Sequence, residues 1–136
     1  MIRATPDDVP FLCVAGERFH AAQKLPGQYN PLTFSRYAEH LIGHGVVFRT
    51  EIGMIGGSIR SMPWDSTYRS AQESFWWSED RQGMALLAAF EGWAQEQGAD
   101  EVRMAFLHGH KAHAVIRKLS GAGYQSEETG MVKRWS

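Results

Sequence analysis

Residues 72–100 read QESFWWSEDRQGMALLAAFEGWAQEQGAD, and this stretch decides the fold. It opens on aromatic residues typical of a buried strand and continues with apolar residues at helical spacing over residues 81–97. Gly98 then ends the helix, and a second apolar run, EVRMAFL, follows at residues 101–107. Strand, helix and strand in this order predict a βαβ unit over residues 73–107, with parallel strands and a right-handed connection.

The junction between this strand and this helix is a candidate ligand site. Ligands bind at the carboxyl ends of strands in such sheets, and a helix N-terminus presents unpaired amides that suit a phosphate. Arg81 supplies one cation at the junction, whereas Glu79 and Asp80 oppose a bound anion. The alternative is structural: Ser78 caps the helix, and the two acids compensate its dipole.

The elements before the junction also follow from local patterns. A short strand at the N-terminus leads into a helix capped at Thr5, and a second helix is predicted over residues 32–42. Two strands, VVFRTE and MIGGSIR, follow as an antiparallel hairpin. Gly56 and Gly57 weaken the second strand unless a bulge or a close neighbour requires them. Residues 61–72, SMPWDSTYRSAQ, are rich in turn formers and predict a loop.

After the βαβ unit, a last helix is predicted over residues 111–120, followed by two strands, YQSEE at 124–128 and GMVKRW at 130–135. The 136 residues are 43% hydrophobic, which suffices for one ordinary core, so a single domain over residues 1–136 is expected. The predicted class is therefore α/β, a mixed arrangement around one sheet.

Charge and cysteine usage narrow the class of function. The formal net charge of −1 gives no basic face for a nucleic acid or an anionic membrane. No apolar run approaches the roughly 20 residues of a membrane span. Cys13 is the sole cysteine and cannot form an internal disulfide, so a cytoplasmic location is expected.

The order of elements, with QESFWW, GMALLAAFEGWAQEQGADEVRMAFL and KLSGAGYQSEETGMVKRW, resembles the GNAT superfamily of acetyl-CoA-dependent N-acetyltransferases. The likeness runs over nearly the whole chain. It implies a mixed, mostly antiparallel sheet whose central parallel pair splays apart at the cofactor site. Acetyl-CoA would then be the acyl-donor substrate, with pantetheine between the splayed strands and the diphosphate on the following helix.

The family signature for the diphosphate is Gln or Arg, two residues, Gly, one residue, then Gly or Ala. Aligning Gly83 and Ala85 with its small positions leaves Asp80 in place of Gln or Arg, in a loop that is shorter than usual. A second alignment, through the LL of residues 86–87, puts Ser78 and Arg81 at the first two signature positions instead. The resemblance implies cofactor contacts from Phe75, Trp76, Trp77, Ser78, Arg81, Gln82, Gly83, Met84 and Ala85.

Glu73 is the candidate catalytic base. Acyl transfer to an amine requires a group that removes a proton, and family members often use a strand carboxylate at this position. Beside Trp76 and Trp77 a carboxyl is expected to be partly desolvated, with its pKa raised toward neutrality. The alternative is a half-exposed strand residue that faces a charged neighbour.

The general acid of many family members is a tyrosine four residues before the Gly of a GF or GY pair. Gly123 and Tyr124 form that pair here, which puts Leu119 at the tyrosine position. No tyrosine occurs between Tyr68 and Tyr124, so a shifted alignment does not supply one. Three alternatives follow: the thiolate leaves with the help of water, another donor serves, or there is no catalysis.

LHGHKAH, at residues 107–113, contains three histidines. A zinc site needs a third firm ligand, and neither a second cysteine nor an acidic cluster lies nearby in sequence, so no metal is predicted. The segment follows the strand that would form the other wall of the cleft, so His108 or His110 is expected to contact cofactor or substrate, with His110 the candidate cofactor contact. The alternative is a polar loop that leads into the last helix.

Two functions fit these observations. The first is an N-acetyltransferase in which an amine, on a small molecule or a peptide, attacks acetyl-CoA directly. The second is a non-catalytic binding or assembly module that has kept the fold and lost efficient CoA binding. The chain itself is also a candidate for homodimer formation.

Overall fold

The computed structural model describes residues 1–106 and 111–135. They divide into two compact units, Met1–Ala105 and Phe106–Ser136. The first unit contains the whole sheet, three α-helices and a 3-10 helix (Pro6–Asp8) with Thr5 at its N-cap, and the second contains one α-helix.

One five-stranded sheet organises the first unit. Neighbouring strands are antiparallel except for the last two, which are parallel. This arrangement confirms the predicted mixed sheet with one parallel βαβ pair. The strands, in order across the sheet, are β1 (Ile2–Arg3), β2 (Val46–Arg49), β3 (Gly53–Met62), β4 (Asp65–Ser78) and β5 (Glu101–Arg103).

The helices begin and end close to their predicted limits. Asn30 caps the second helix, since its side chain accepts a hydrogen bond from the Thr33 amide at 3.1 Å. None of the helices in the described part of the chain combines the length and apolar character needed to cross a lipid bilayer. The helices are α1 (Val9–Gln23), α2 (Pro31–His44), α3 (Gly83–Glu96) and α4 (Ala112–Gly121).

The helices of the first unit lie on both faces of the sheet. A Cβ atom added at Gly57 would lie 2.7 Å from the Phe90 ring of α3, and one added at Gly56 would lie 2.6 Å from the Phe75 ring. Successive strand residues point to opposite faces. Phe75 packs against Phe34 of α2, with ring centroids 5.6 Å apart. Thus α3 covers one face, and α2 and α1 cover the other, where the cluster that contains Leu12, Leu41, Met54 and Phe75 lies.

Both explanations offered for the paired glycines hold. Gly57 pairs with Glu73 and Gly56 pairs with Phe75, so Ser74 is an extra residue in β4 and forms a β-bulge. The rings of Phe75 and Phe90 also occupy the space that side chains at the two glycines would need.

The predicted loop over residues 61–72 is wrong. Those residues belong to a long β3–β4 hairpin with Pro63 and Trp64 at its turn. Pairing begins at Met62–Asp65 and continues from Ser61–Arg69 toward Gly53–Ser78. Only the tip needs turn formers; the Asp65 carboxylate accepts hydrogen bonds from the amide and hydroxyl of Thr67 at 2.9 and 2.6 Å. Beyond the tip the register shifts, and Arg69, Ser70, Ala71 and Gln72 pair with Ser61, Arg60, Ile59 and Ser58, because β3 supplies partners for their backbone groups.

The carboxyl-terminal strands are also predicted wrongly. Residues 124–128 and 130–135 form no strand, and β5 is shorter than the predicted run at 101–107. A strand requires a neighbour for its backbone hydrogen bonds, and the described residues after Ala105 contain one helix and no other strand. The last helix itself is confirmed, as α4.

We predict that Gly57→Ala lowers the free energy of unfolding by about 1–3 kcal/mol, because the added methyl group meets the Gln72 carbonyl and the Phe90 ring. Gly92→Ala is the matched control, since nothing lies within 4 Å of its Cβ position. In the interior of α3 that change should stabilise by up to about 1 kcal/mol. Chemical denaturation measures both, and equal stability of Gly57→Ala and the unsubstituted protein would contradict the packing.

Candidate active site

The parallel strands β4 and β5 separate after a short ladder. Pairing covers only Ser70–Glu101, Ala71–Val102 and Gln72–Arg103. Beyond it, β4 continues to Ser78, still paired with β3 on its other side. Half of its backbone N–H and C=O groups beyond Gln72 therefore face a side from which β5 has departed. The predicted splay is present in the described residues.

Glu73 lies at the vertex of this splay. It is the first β4 residue after the paired ladder, and its Oε1 accepts a hydrogen bond from the Ala105 amide at 3.1 Å. The carboxyl thus takes the place of a strand-to-strand backbone hydrogen bond where the ladder ends. It holds the departing chain at a fixed point.

Burial raises the pKa of Glu73 from its ordinary value of 4.5 to about 7, and the Ala105 hydrogen bond opposes this rise only in part. Its nearest β3 partner, Gly57, brings no charge. Near neutral pH this carboxyl is therefore poised between its acid and base forms. The upward shift of the Glu73 pKa agrees with the desolvation expected from the sequence. The role of Glu73 as a catalytic base stays a prediction.

A polar network below the vertex was missed by the sequence analysis. The Glu101 carboxylate accepts hydrogen bonds from the hydroxyls of Tyr68 and Ser70, each at 2.7 Å, and forms an ion pair with Arg103. Burial alone would raise the pKa of Glu101, but these donors outweigh it and lower that pKa. The network binds β4 to β5 along their paired ladder, so the splay starts from a rigid base.

The aromatic residues of β4 contribute their side chains to packing. Phe75 and Trp77 are buried in the core shared with α1 and α2. The Trp76 indole nitrogen donates a hydrogen bond to the Gly83 carbonyl at 2.8 Å and so ties β4 to the start of α3. A ligand in the splay would meet these residues mainly through their backbone.

α3 begins at Gly83, two residues later than predicted, and Ser78 lies outside it. The Ser78 Oγ accepts hydrogen bonds from the amides of Asp80 and Gln82, both at 3.2 Å. Gln82 is the N-cap residue, and its side chain makes no capping bond. The amides of the first helical turn have no hydrogen-bond acceptor in the described residues, which leaves Gly83, Met84 and Ala85 able to bind an anion.

Both acidic residues of the junction have partners of their own. Glu79 pairs with Arg18 of α1 at 3.4 Å, a contact that is about half exposed. The Asp80 Oδ1 accepts from the Ser78 hydroxyl at 2.6 Å and from the Gln82 amide at 3.3 Å. Arg81 is exposed and has a φ of 60°, a left-handed conformation imposed by this tight loop.

The remaining predicted site residues lie either in the second unit or outside the described residues. His110 and His108 lie outside the described residues, and His113 is exposed on α4. Leu119 is buried in the second unit, and its carbonyl accepts a hydrogen bond from the Tyr124 amide at 3.0 Å. Among the described residues no group of three metal-binding side chains occurs.

A surface cleft of about 330 Å³ occurs elsewhere, between α3 and the β1–β2 edge of the sheet. It contains none of the predicted site residues. Its lining residues are Arg3, Phe48, Ala89, Gly92, Trp93 and Glu96.

We predict that the pKa of Glu73 makes stability depend on pH. Between pH 4.5 and about 7 the folded protein keeps a proton that the unfolded chain releases, so stability falls as pH rises through this window. Glu73→Gln, whose amide oxygen still accepts from Ala105, should be more stable than the unsubstituted protein at pH 8 by at least about 1.4 kcal/mol, the value of one pKa unit. The two proteins should converge near pH 4.5 in urea titrations. A constant difference across this pH range would exclude the raised pKa.

No protein-family model and no curated protein matches the sequence. Solved structures do. A protein from Arthrobacter sp. FB24 that is described as an acetyltransferase is 20% identical to this chain. The match covers 99% of this chain and 93% of its own length, with a TM-score of 0.76. A predicted acetyltransferase of Clostridium acetobutylicum, crystallised with acetyl-CoA, is 11% identical over 98% of this chain and 94% of its own, with a TM-score of 0.73.

An aminoglycoside acetyltransferase from an uncultured soil metagenomic sample, in complex with trehalose, gives a TM-score of 0.68 at 14% identity, over 99% of this chain and 93% of its own. At these identities the likeness concerns the fold. The similarity covers nearly the whole chain. As the resemblance implied, β4 and β5 separate, and β4 is followed by the N-terminus of α3. The chain has the fold of the GNAT acetyltransferases.

Proposed function

We propose that this chain is an N-acetyltransferase that moves an acetyl group from acetyl-CoA to an amine. The observation that carries the proposal is the open vertex between β4 and β5, where a carboxyl with a pKa near 7 stands. Pantetheine would pair with the free backbone of β4 between Phe75 and Ser78. The diphosphate oxygens would accept hydrogen bonds from the amides of residues 83–85 and from the side chain of Arg81.

Glu73 is the base of the proposed reaction. The amine nitrogen attacks the thioester carbonyl carbon, a C–N bond forms and the C–S bond breaks. The proton released by the amine passes to the Glu73 carboxylate, directly or through one water. A base with a pKa near 7 is about half ionised at neutral pH, so it accepts a proton and releases it again within one turnover.

In the proposed reaction no tyrosine of α4 protonates the departing thiolate of CoA. Leu119 stands where the family resemblance calls for that residue, and its side chain donates no proton. The leaving group therefore takes its proton from water. The acceptor is an amine on a small molecule or a peptide.

The alternative is a non-catalytic module with the same fold. It is favoured by one observation: Asp80 and Ser78 engage the amides of residues 80 and 82, which would otherwise be available to a diphosphate. Binding of acetyl-CoA separates the two functions.

We predict that acetyl-CoA binds with 1:1 stoichiometry and that Arg81→Gln weakens its binding about tenfold, because one charge-assisted contact to the diphosphate is lost. Arg60→Gln is the control; Arg60 is an exposed cation on the distal part of β3, roughly 25 Å along the hairpin from Ser78. Isothermal titration calorimetry measures all three proteins. Absence of binding at millimolar acetyl-CoA would refute the enzymatic proposal.

We predict that Glu73→Gln lowers the rate of acetyl transfer by about 10²–10⁴-fold. The rate of the unsubstituted protein should rise with pH through about 7, as Glu73 loses its proton, and the variant should lack this rising limb. Thiol release from acetyl-CoA in the presence of a panel of amines measures the rate. If the variant keeps both the rate and the pH profile, Glu73 is not the base.

A further inference from the structure

Asp80 is held in one place by the loop that precedes α3. Its Oδ1 accepts from the Ser78 hydroxyl at 2.6 Å and from the Gln82 amide at 3.3 Å, while its own amide donates to Ser78 Oγ at 3.2 Å. These bonds close a small ring of polar atoms. The carboxylate is therefore fixed next to the first turn of α3.

A second anchor joins the same loop to the β2–β3 turn. The Glu79 amide donates to the Ile52 carbonyl at 2.9 Å. Partial burial opposes ionisation of Asp80, but the donors of Ser78, Thr50, Gln82 and Ile52 outweigh it and lower its pKa. The nearby Thr50 hydroxyl, which is buried without a hydrogen-bond partner among the described residues, also lowers the pKa of Asp80. The carboxylate of Asp80 is thus negatively charged near neutral pH.

The charge of Asp80 is not balanced by a cation. Glu79 is paired with Arg18, whereas Asp80 forms no ion pair with any residue that the structure describes. The loop residues that donate hydrogen bonds to it, Ser78 and Gln82, are neutral, and the adjacent Arg81 is exposed and forms no ion pair with it. A diphosphate on the amides of residues 83–85 would lie within one helical turn of this charge, and like charges at such distances repel.

We propose that Asp80 is a donor-selectivity residue, whose fixed negative charge weakens the binding of diphosphate-bearing donors relative to thioesters that carry pantetheine alone. This inference rests on the proposed function. On the alignment through Gly83 and Ala85, Asp80 stands where the family signature has glutamine or arginine, so a neutral or cationic contact to the diphosphate is replaced by a repulsive one. Recognition of the donor then depends on the pantetheine arm along β4.

The test compares Asp80→Asn with the unsubstituted protein. The hydrogen bonds that the carboxylate accepts from Ser78 and Gln82 both involve Oδ1, so an asparagine oxygen keeps them, and its amide group can donate to the buried Thr50 hydroxyl. Glu96→Gln is the matched control, because it removes the same charge from the other end of α3, about 20 Å away. Calorimetry with CoA and with pantetheine, at low and high salt, gives four affinities for each protein.

We expect Asp80→Asn to bind CoA about tenfold more tightly, with unchanged affinity for pantetheine and with a smaller gain at high salt. Glu96→Gln should change neither affinity. Asp80→Ser, a second neutral variant whose hydroxyl can accept from Gln82, should give the same gain, and thermal melting verifies that each variant folds.

The outcomes separate this inference from the proposed function. If the unsubstituted protein binds CoA and neither neutral variant binds it more tightly, the selectivity role is overturned and the proposed function stands. If pantetheine gains as much as CoA, the charge of Asp80 does not act on the diphosphate, and the inference is likewise overturned. If no protein binds CoA or pantetheine, the proposed function fails.

Discussion

The hydrogen bond between the Glu73 carboxyl and the Ala105 amide is the contact on which the candidate site depends. Below it, β4 and β5 share a ladder reinforced by the carboxylate of Glu101. Above it, β3 is the strand that pairs with β4 among the described residues. Backbone groups deprived of a partner need water or a ligand, because leaving them dry is costly. The sheet thus creates a slot with its own hydrogen-bonding edge and places a titratable group at the base of that slot.

The position of Glu73 is fixed by packing on both faces of the sheet. The Phe90 ring fills the space beside Gly57, and the Phe75 ring fills the space beside Gly56. Between these contacts the bulge at Ser74 shifts the register of β4 against β3. A slip by one residue would turn buried side chains to the opposite face, so the two rings and the bulge lock the register. The catalytic candidate is in this way positioned by residues that do no chemistry.

The loop before α3 is ordered by its own polar side chains. Ser78 satisfies two loop amides, Asp80 accepts from the hydroxyl of Ser78, and Trp76 reaches the Gly83 carbonyl. A loop that already has its final shape pays little conformational entropy when a ligand arrives. The same bonds consume donors that an unstructured loop would offer to phosphate. Rigidity and anion affinity therefore work against each other at this junction.

The sequence by itself determined the elements that depend on local signals. Apolar spacing predicted the four helices, the strand–helix–strand order predicted the parallel pair, and the paired glycines indicated a bulge or a close neighbour. Glu73 was singled out because the family resemblance implies a strand carboxylate at this position, and its aromatic neighbours predict desolvation of that carboxyl.

Only the tertiary structure decided which groups meet across long stretches of chain. The residues at 69–72 read as a loop until β3 is seen to supply their backbone partners, and Glu101 becomes a network centre only when β5 lies beside β4. The physical reason is that helix periodicity and caps are encoded within a few residues, whereas strand pairing is fixed by contacts between residues far apart in sequence.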